Sequence, residues 1–172
     1  IRELPVSVHT KFIEETKGIL RLLLDELIPD RLLASEKEFE KRFRLRYAQP
    51  LIRFRILGKE EETLRGIEDV TITLESFSKI NLDCNVIIIV ENLMNFLTLP
   101  KLENTVAIWG QGFGLENMKV IEWIKSKSVF YWSDLDAHGM QMLSQLRSYF
   151  PQTQSLFMDL ETLNRFKGYW VK

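Results

Sequence analysis

Cysteine is almost absent: Cys84 is the only one among 172 residues. One thiol excludes a disulfide framework within the chain and fits a reducing cytoplasm. Before an apolar stretch, Cys84 reads as a buried, inert thiol. Long hydrophobic runs are missing too. The longest, VIIIV at 86–90, is far too short to span a bilayer, and no signal peptide is visible. There is no internal repeat and no low-complexity tract. With a formal net charge of -1, overall charge argues neither for nor against nucleic acid. No initiating Met is present, and the chain stops just after an apparent turn at Gly168, so it reads as part of something longer, truncated at its C-terminal end.

Hydrophobic residues make up 45% of the chain, enough for a packed core. Residues 8–28 repeat apolar positions at helical spacing, with Thr10 as the expected N-cap and Pro29 as the stop. A shorter helix is expected over 36–43. PLIRFRIL at 50–57 alternates apolar and basic residues, as a half-buried strand does, and VTITL at 70–74 could pair with it. The charged run 59–62 reads as a turn. Helices followed by a two-stranded ribbon resemble a winged-helix layout, so 1–80 is expected to be a winged-helix-like segment, with a second domain over 81–172.

In that second domain the pattern changes. Strands are expected at 86–91, 105–109, 129–134 and 155–158, alternating with helical stretches at 92–97, 115–125 and 138–150. Strand–helix alternation predicts right-handed crossovers and a parallel sheet. The fold class is therefore α/β.

Two of the strands end in carboxylates: VIIIVEN at 86–92 and FYWSDLD at 130–136. Acids at the carboxyl ends of neighbouring parallel strands converge on one crevice. Glu91, Asp134 and Asp136 would make an oxygen-rich cluster suited to Mg²⁺ or Mn²⁺. Three such acids repel one another unless a cation neutralises them. Asp159, at the end of the fourth strand, is a further candidate ligand. An Asp in these places also serves as a helix N-cap. His138 fits a proton shuttle or a phosphate contact, and equally a solvent-facing residue at a helix start. The loop GQGFG at 110–114 could offer backbone N–H groups to a phosphate, but it is neither a Walker A motif nor G-x-G-x-x-G. A missing phosphate loop disfavours a small-molecule phosphatase or kinase. A haloacid dehalogenase carries its Asp-x-Asp on the first core strand; here it follows the third.

Charge is unevenly spread. Residues 36–58 hold seven basic side chains (Lys37, Lys41, Arg42, Arg44, Arg46, Arg53, Arg55) against three acidic ones (Glu36, Glu38, Glu40). Lys41, Arg42, Arg44, Arg46, Arg53 and Arg55 are candidates for phosphate-backbone contact, or else form a solvated helix and edge strand.

A Glu ending the first strand, a glycine-containing second turn and an Asp-x-Asp after the third strand resemble the Toprim domain of topoisomerases and primases. ENLMNFLTLP at 91–100, IWGQGF at 108–113, YWSDLDAHG at 131–139 and SLFMD at 155–159 further resemble the C-terminal part of the JetD family, nuclease subunits of the bacterial Wadjet anti-plasmid system. That family is similar to the A subunit of topoisomerase VI. The resemblance implies a Toprim core behind a winged-helix-type segment, and Mg²⁺-dependent hydrolysis of double-stranded DNA. It also implies a homodimer in the full-length protein and recruitment by an SMC-type complex. By position, Glu91, Asp134 and Asp136 would be the acidic triad. Ser133 stands where a Gly would be expected. The alternative is a non-catalytic DNA-binding or assembly module on the same scaffold.

Overall fold

The computed structural model describes residues 9–58, 66–80, 82–110 and 115–170. The charged run 59–62 and residues 111–114 of the glycine loop lie outside them. The chain divides into two compact units, Ile1–Ala48 and Gln49–Lys172.

The first unit is helical. The expected helix over 8–28 is two helices, α1 (Thr10–Glu15) and α2 (Lys17–Leu27). The break falls at Thr16, whose hydroxyl donates to the Phe12 carbonyl, the local back-bonding by which Thr competes with a regular helix. His9, rather than Thr10, caps α1, its Nδ1 accepting from the Lys11 N–H. A short 3-10 turn over Pro29–Arg31 and α3 (Phe39–Arg42) follow. Arg42 is buried. Its guanidinium donates to Asp25 at 2.7 Å and to the Ala34 carbonyl at 2.8 Å.

The second unit is a six-stranded sheet with helices on both faces. Its strands are β1 (Leu51–Ile56), β2 (Asp69–Thr73), β3 (Val86–Val90), β4 (Thr105–Trp109), β5 (Ser128–Trp132) and β6 (Gln154–Ser155). Between them run α4 (Leu74–Lys79), α5 (Leu93–Thr98), two 3-10 stretches over Leu115–Val120 and Glu122–Ser126, and α6 (Ala137–Tyr149). Helix α7 (Leu160–Arg165) follows β6. The order is β2-β1-β4-β3-β5-β6. β4, β3, β5 and β6 are parallel, as expected, while β1 runs antiparallel to both β2 and β4, so the sheet is mixed.

The ribbon of β1 and β2 pairs as its alternation suggested. It belongs to the main sheet, however, because the free edge of β1 hydrogen-bonds to β4. The chain therefore divides at residues 48 and 49, not at 80 and 81. The stretch 115–125 is 3-10 rather than α.

Two apolar layers sandwich the sheet. Ile87 and Ile89 of β3, with Val106, Ile108, Val129 and Tyr131, face a core closed by Phe77, Met118, Leu143 and Leu146. The alternate residues Ile88, Val90 and Ala107 face a smaller core closed by Phe96 of α5. This two-sided burial is why β3 reads as an unbroken apolar run.

Candidate functional site

β3, the first strand of the parallel set, lies inside it. The chain leaves β3 for β4 on one side, then crosses to β5 on the other. Such a reversal opens a crevice at the carboxyl ends of the two strands flanking the switch, where α/β sheets bind ligands. Here those strands are β3 and β5, paired with Val90 opposite Trp132. Glu91 follows directly on one and Asp134 stands two residues beyond the other.

Glu91 is held firmly. Its N–H donates to the Trp132 carbonyl at 3.0 Å, and its carbonyl accepts from Trp109 Nε1 at 3.0 Å. Its carboxylate is partly buried, with a side-chain exposure of 22%. Oε2 accepts from the Tyr131 hydroxyl at 3.3 Å, and Oε1 lies 3.9 Å from His138 Nε2. Tyr131 is itself buried. Desolvation first, then the Glu91 charge, push its hydroxyl well above the usual phenol range, although hydrogen bonding with Ser133 opposes them. The hydroxyl therefore stays protonated and keeps donating.

The turn after β5 is built around a close approach. The Ser133 hydroxyl, buried, donates to the Asp134 carbonyl at 3.2 Å and lies 3.5 Å from Met158 Sδ. Gly139, in the first turn of α6, packs against this turn. A Cβ there would overlap the Asp134 carbonyl oxygen and Ser133 Oγ. Gly139 is thus the glycine that lets α6 pack against this turn, with Ser133 accommodated beside it. Asp136 is the N-cap of α6, with Oδ1 accepting from the Gly139 N–H at 2.7 Å. Asp134 is exposed, and its carboxylate has no hydrogen-bond partner among the described residues. Asp159 caps α7, with Oδ1 accepting from the Thr162 N–H at 2.7 Å; that bond holds its carboxyl below the usual range. His138 is 63% exposed.

Asp134 and Asp159 line one cleft of about 740 Å³, together with Trp132, Phe157 and Arg165. Asp134 and Asp136 line a second, together with Phe166, Tyr169 and Trp170. The donors are hard carboxylate oxygens, the set that suits Mg²⁺ or Mn²⁺. Among the described residues, no three His, Cys, Asp or Glu side chains form a ready-made cage. Mg²⁺ commonly takes one or two carboxylates and completes its shell with water and substrate phosphate, so such a site does not require a ready-made cage.

The basic candidates are spread over both units. Arg42 is occupied inside the first, as described. Arg53 makes a two-pronged pair with Asp69 at 2.7 and 2.9 Å. Arg55 donates to the carbonyls of Phe96 and Leu97, at 2.7 and 2.9 Å, capping the end of α5. Lys41 pairs with Glu38 at 3.1 Å and lies over the Tyr47 ring. Arg44 and Arg46 are exposed, Arg44 with a left-handed backbone at φ 54°.

Four residues at this site escape a reading of the sequence: Tyr131, Trp109, Gly139 and Phe157. The signal for Gly139 is a glycine in a helical first turn, three residues after Asp136. Phe157 gives none. It has φ 57° and is 60% exposed, its ring edge-to-face with Trp132 at 5.4 Å. A left-handed conformation costs a bulky residue about 1–2 kcal/mol.

Among the described residues, no helix is long and apolar enough to cross a membrane. No curated protein matches the chain. A family model described as Wadjet protein JetD, C-terminal, matches residues 44–172, which include the entire sheet and both acid-bearing turns, and the chain belongs to that family.

Proposed function

We propose that this chain is a divalent-metal-dependent DNA endonuclease domain with a Toprim-like core, hydrolysing phosphodiester bonds of double-stranded DNA. One observation carries the reading: Glu91 and the Asp134–Asp136 turn end adjacent parallel strands at the switch point of the sheet. Membership of the JetD family gives the chain a role in the Wadjet system, and a nuclease-like activity accords with it. An SMC-type Wadjet complex is the proposed partner, a homodimer the proposed state of the full-length protein, and the cytoplasm the proposed compartment.

Glu91, Asp134 and Asp136 would hold Mg²⁺ or Mn²⁺, with Asp159 as an outer ligand. Bound there, the ion would polarise the scissile phosphate and steady charge on the leaving oxygen. Tyr131 keeps the Glu91 carboxylate turned toward the crevice, where Glu91 is positioned to take a proton from water. His138, 3.9 Å from Glu91, is the group placed to pass that proton on. Of the basic residues, Arg44 and Arg46 are exposed and are proposed to meet phosphates, with Lys41 joining them where it leaves Glu38. Arg42, Arg53 and Arg55 hold the fold.

Calorimetric titration of Mn²⁺ tests the site. The wild-type chain should bind and the Asp134→Asn, Asp136→Asn double variant should not. In the full-length protein, Glu91→Gln should abolish metal-dependent plasmid cleavage; intact cleavage would remove Glu91 from the mechanism. One observation favours the second reading, a non-catalytic DNA-binding or assembly module: the lack of a ready-made cage among the described residues. That reading gains if neither protein binds Mn²⁺ even with DNA present, and if DNA binding is salt-sensitive yet indifferent to metal.

A further inference from the structure

We propose that the cleft beside Asp134 is a stacking subsite for an unpaired nucleobase, with Phe157 and Trp132 as its platform. The inference rests on the nuclease reading and names what the site does with its substrate: it holds a base splayed out of the duplex next to the carboxylates.

The lining supports a base over a protein side chain. The apolar lining of the two clefts is mostly aromatic, with Trp132, Phe157, Phe166, Tyr169 and Trp170 beside Leu135 and Leu163. The centres of protein docking surfaces are depleted of carboxylates. Here carboxylates and rings share the same walls. Aromatic faces beside a guanidinium are what single-stranded nucleic acid uses, since every base has a π face and every link a phosphate. Arg165 lines the same cleft and is exposed.

Phe157 is the second observation. Its backbone is left-handed and its ring is 60% exposed, so burial explains little of its position. The ring stands edge-to-face with Trp132, and both line the cleft. A residue kept in an unfavourable conformation in a cleft wall points to use of the exposed ring.

The test uses Phe157→Asn, because Asn tolerates a left-handed backbone. Fluorescence anisotropy would follow a labelled twelve-base oligothymidylate, an abasic strand of equal length and a blunt duplex, all in EDTA. The wild-type chain should bind the thymidylate better than the abasic strand. Phe157→Asn should weaken thymidylate binding by about fivefold or more and leave the abasic strand unchanged. Its thermal midpoint should stay level or rise, which a structural role for the ring would not allow. Equal binding of base-bearing and abasic strands, unchanged affinity in the variant, or no binding of either strand would overturn the subsite. The nuclease reading would survive each of those results if Glu91→Gln still abolished metal-dependent cleavage by the full-length protein. Loss of thymidylate binding in Phe157→Asn with Glu91→Gln fully active would instead keep the base subsite and remove Glu91 from the mechanism.

Discussion

Tyr131 does at the site what no acid there can do for itself. Its protonated hydroxyl fixes one oxygen of Glu91. Tyr131→Phe keeps the ring in the core and removes the hydroxyl with its bonds to Glu91 and Ser133. Urea denaturation should show a loss of about 1 kcal/mol, and Mn²⁺ affinity should fall with the fold intact; unchanged affinity would mean that Glu91 needs no such support. Cys84 is the opposite case, a reactive group made quiet. It is buried, and desolvation raises its thiol. A thiol reagent at pH 8 should modify it only as fast as the chain opens, and prompt modification would contradict its burial. The acids were legible because each closes an apolar run. Tyr131 was not, because its role depends on a residue of another strand, and inside FYW any of the three aromatics looks like core.

At the scale of elements, α6 carries the sharpest expectation. Replacing a helical glycine by alanine ordinarily stabilises by up to about 1 kcal/mol. Gly139→Ala should do the reverse, destabilising by about 1–3 kcal/mol, since the methyl would land on the turn that carries Asp134. Thermal unfolding gives the sign directly. Most elements were readable from periodicity: β1, β3, β4 and α6 lie within a residue or two of their expected spans. The misses have local causes. Thr16 splits the first helix by satisfying Phe12 with its own hydroxyl. The basic alternation of β1 does not reveal in sequence that Asp69 and the end of α5 take up Arg53 and Arg55.

At the scale of the molecule, both hydrophobic cores of the sheet lie entirely within the second unit. A chain of residues 49–172 should therefore fold alone and unfold in one cooperative step. Circular dichroism and near-ultraviolet signals should lose structure together; separate transitions would show that the sheet needs the helical unit. The boundary near residue 80 looked natural because composition changes there. Composition cannot reveal that β1, far earlier in the chain, closes the flank of β4.

The inside position of β3 also sets a timetable. A ribosome delivers Glu91 well before Asp134, and β4 is made between them. Glu91 thus waits at the end of a strand whose partner on that side does not yet exist. Only when β5 docks against β3 do the acids become neighbours. A nascent or broken chain carries the separate carboxylates without the crevice that they share in the finished sheet.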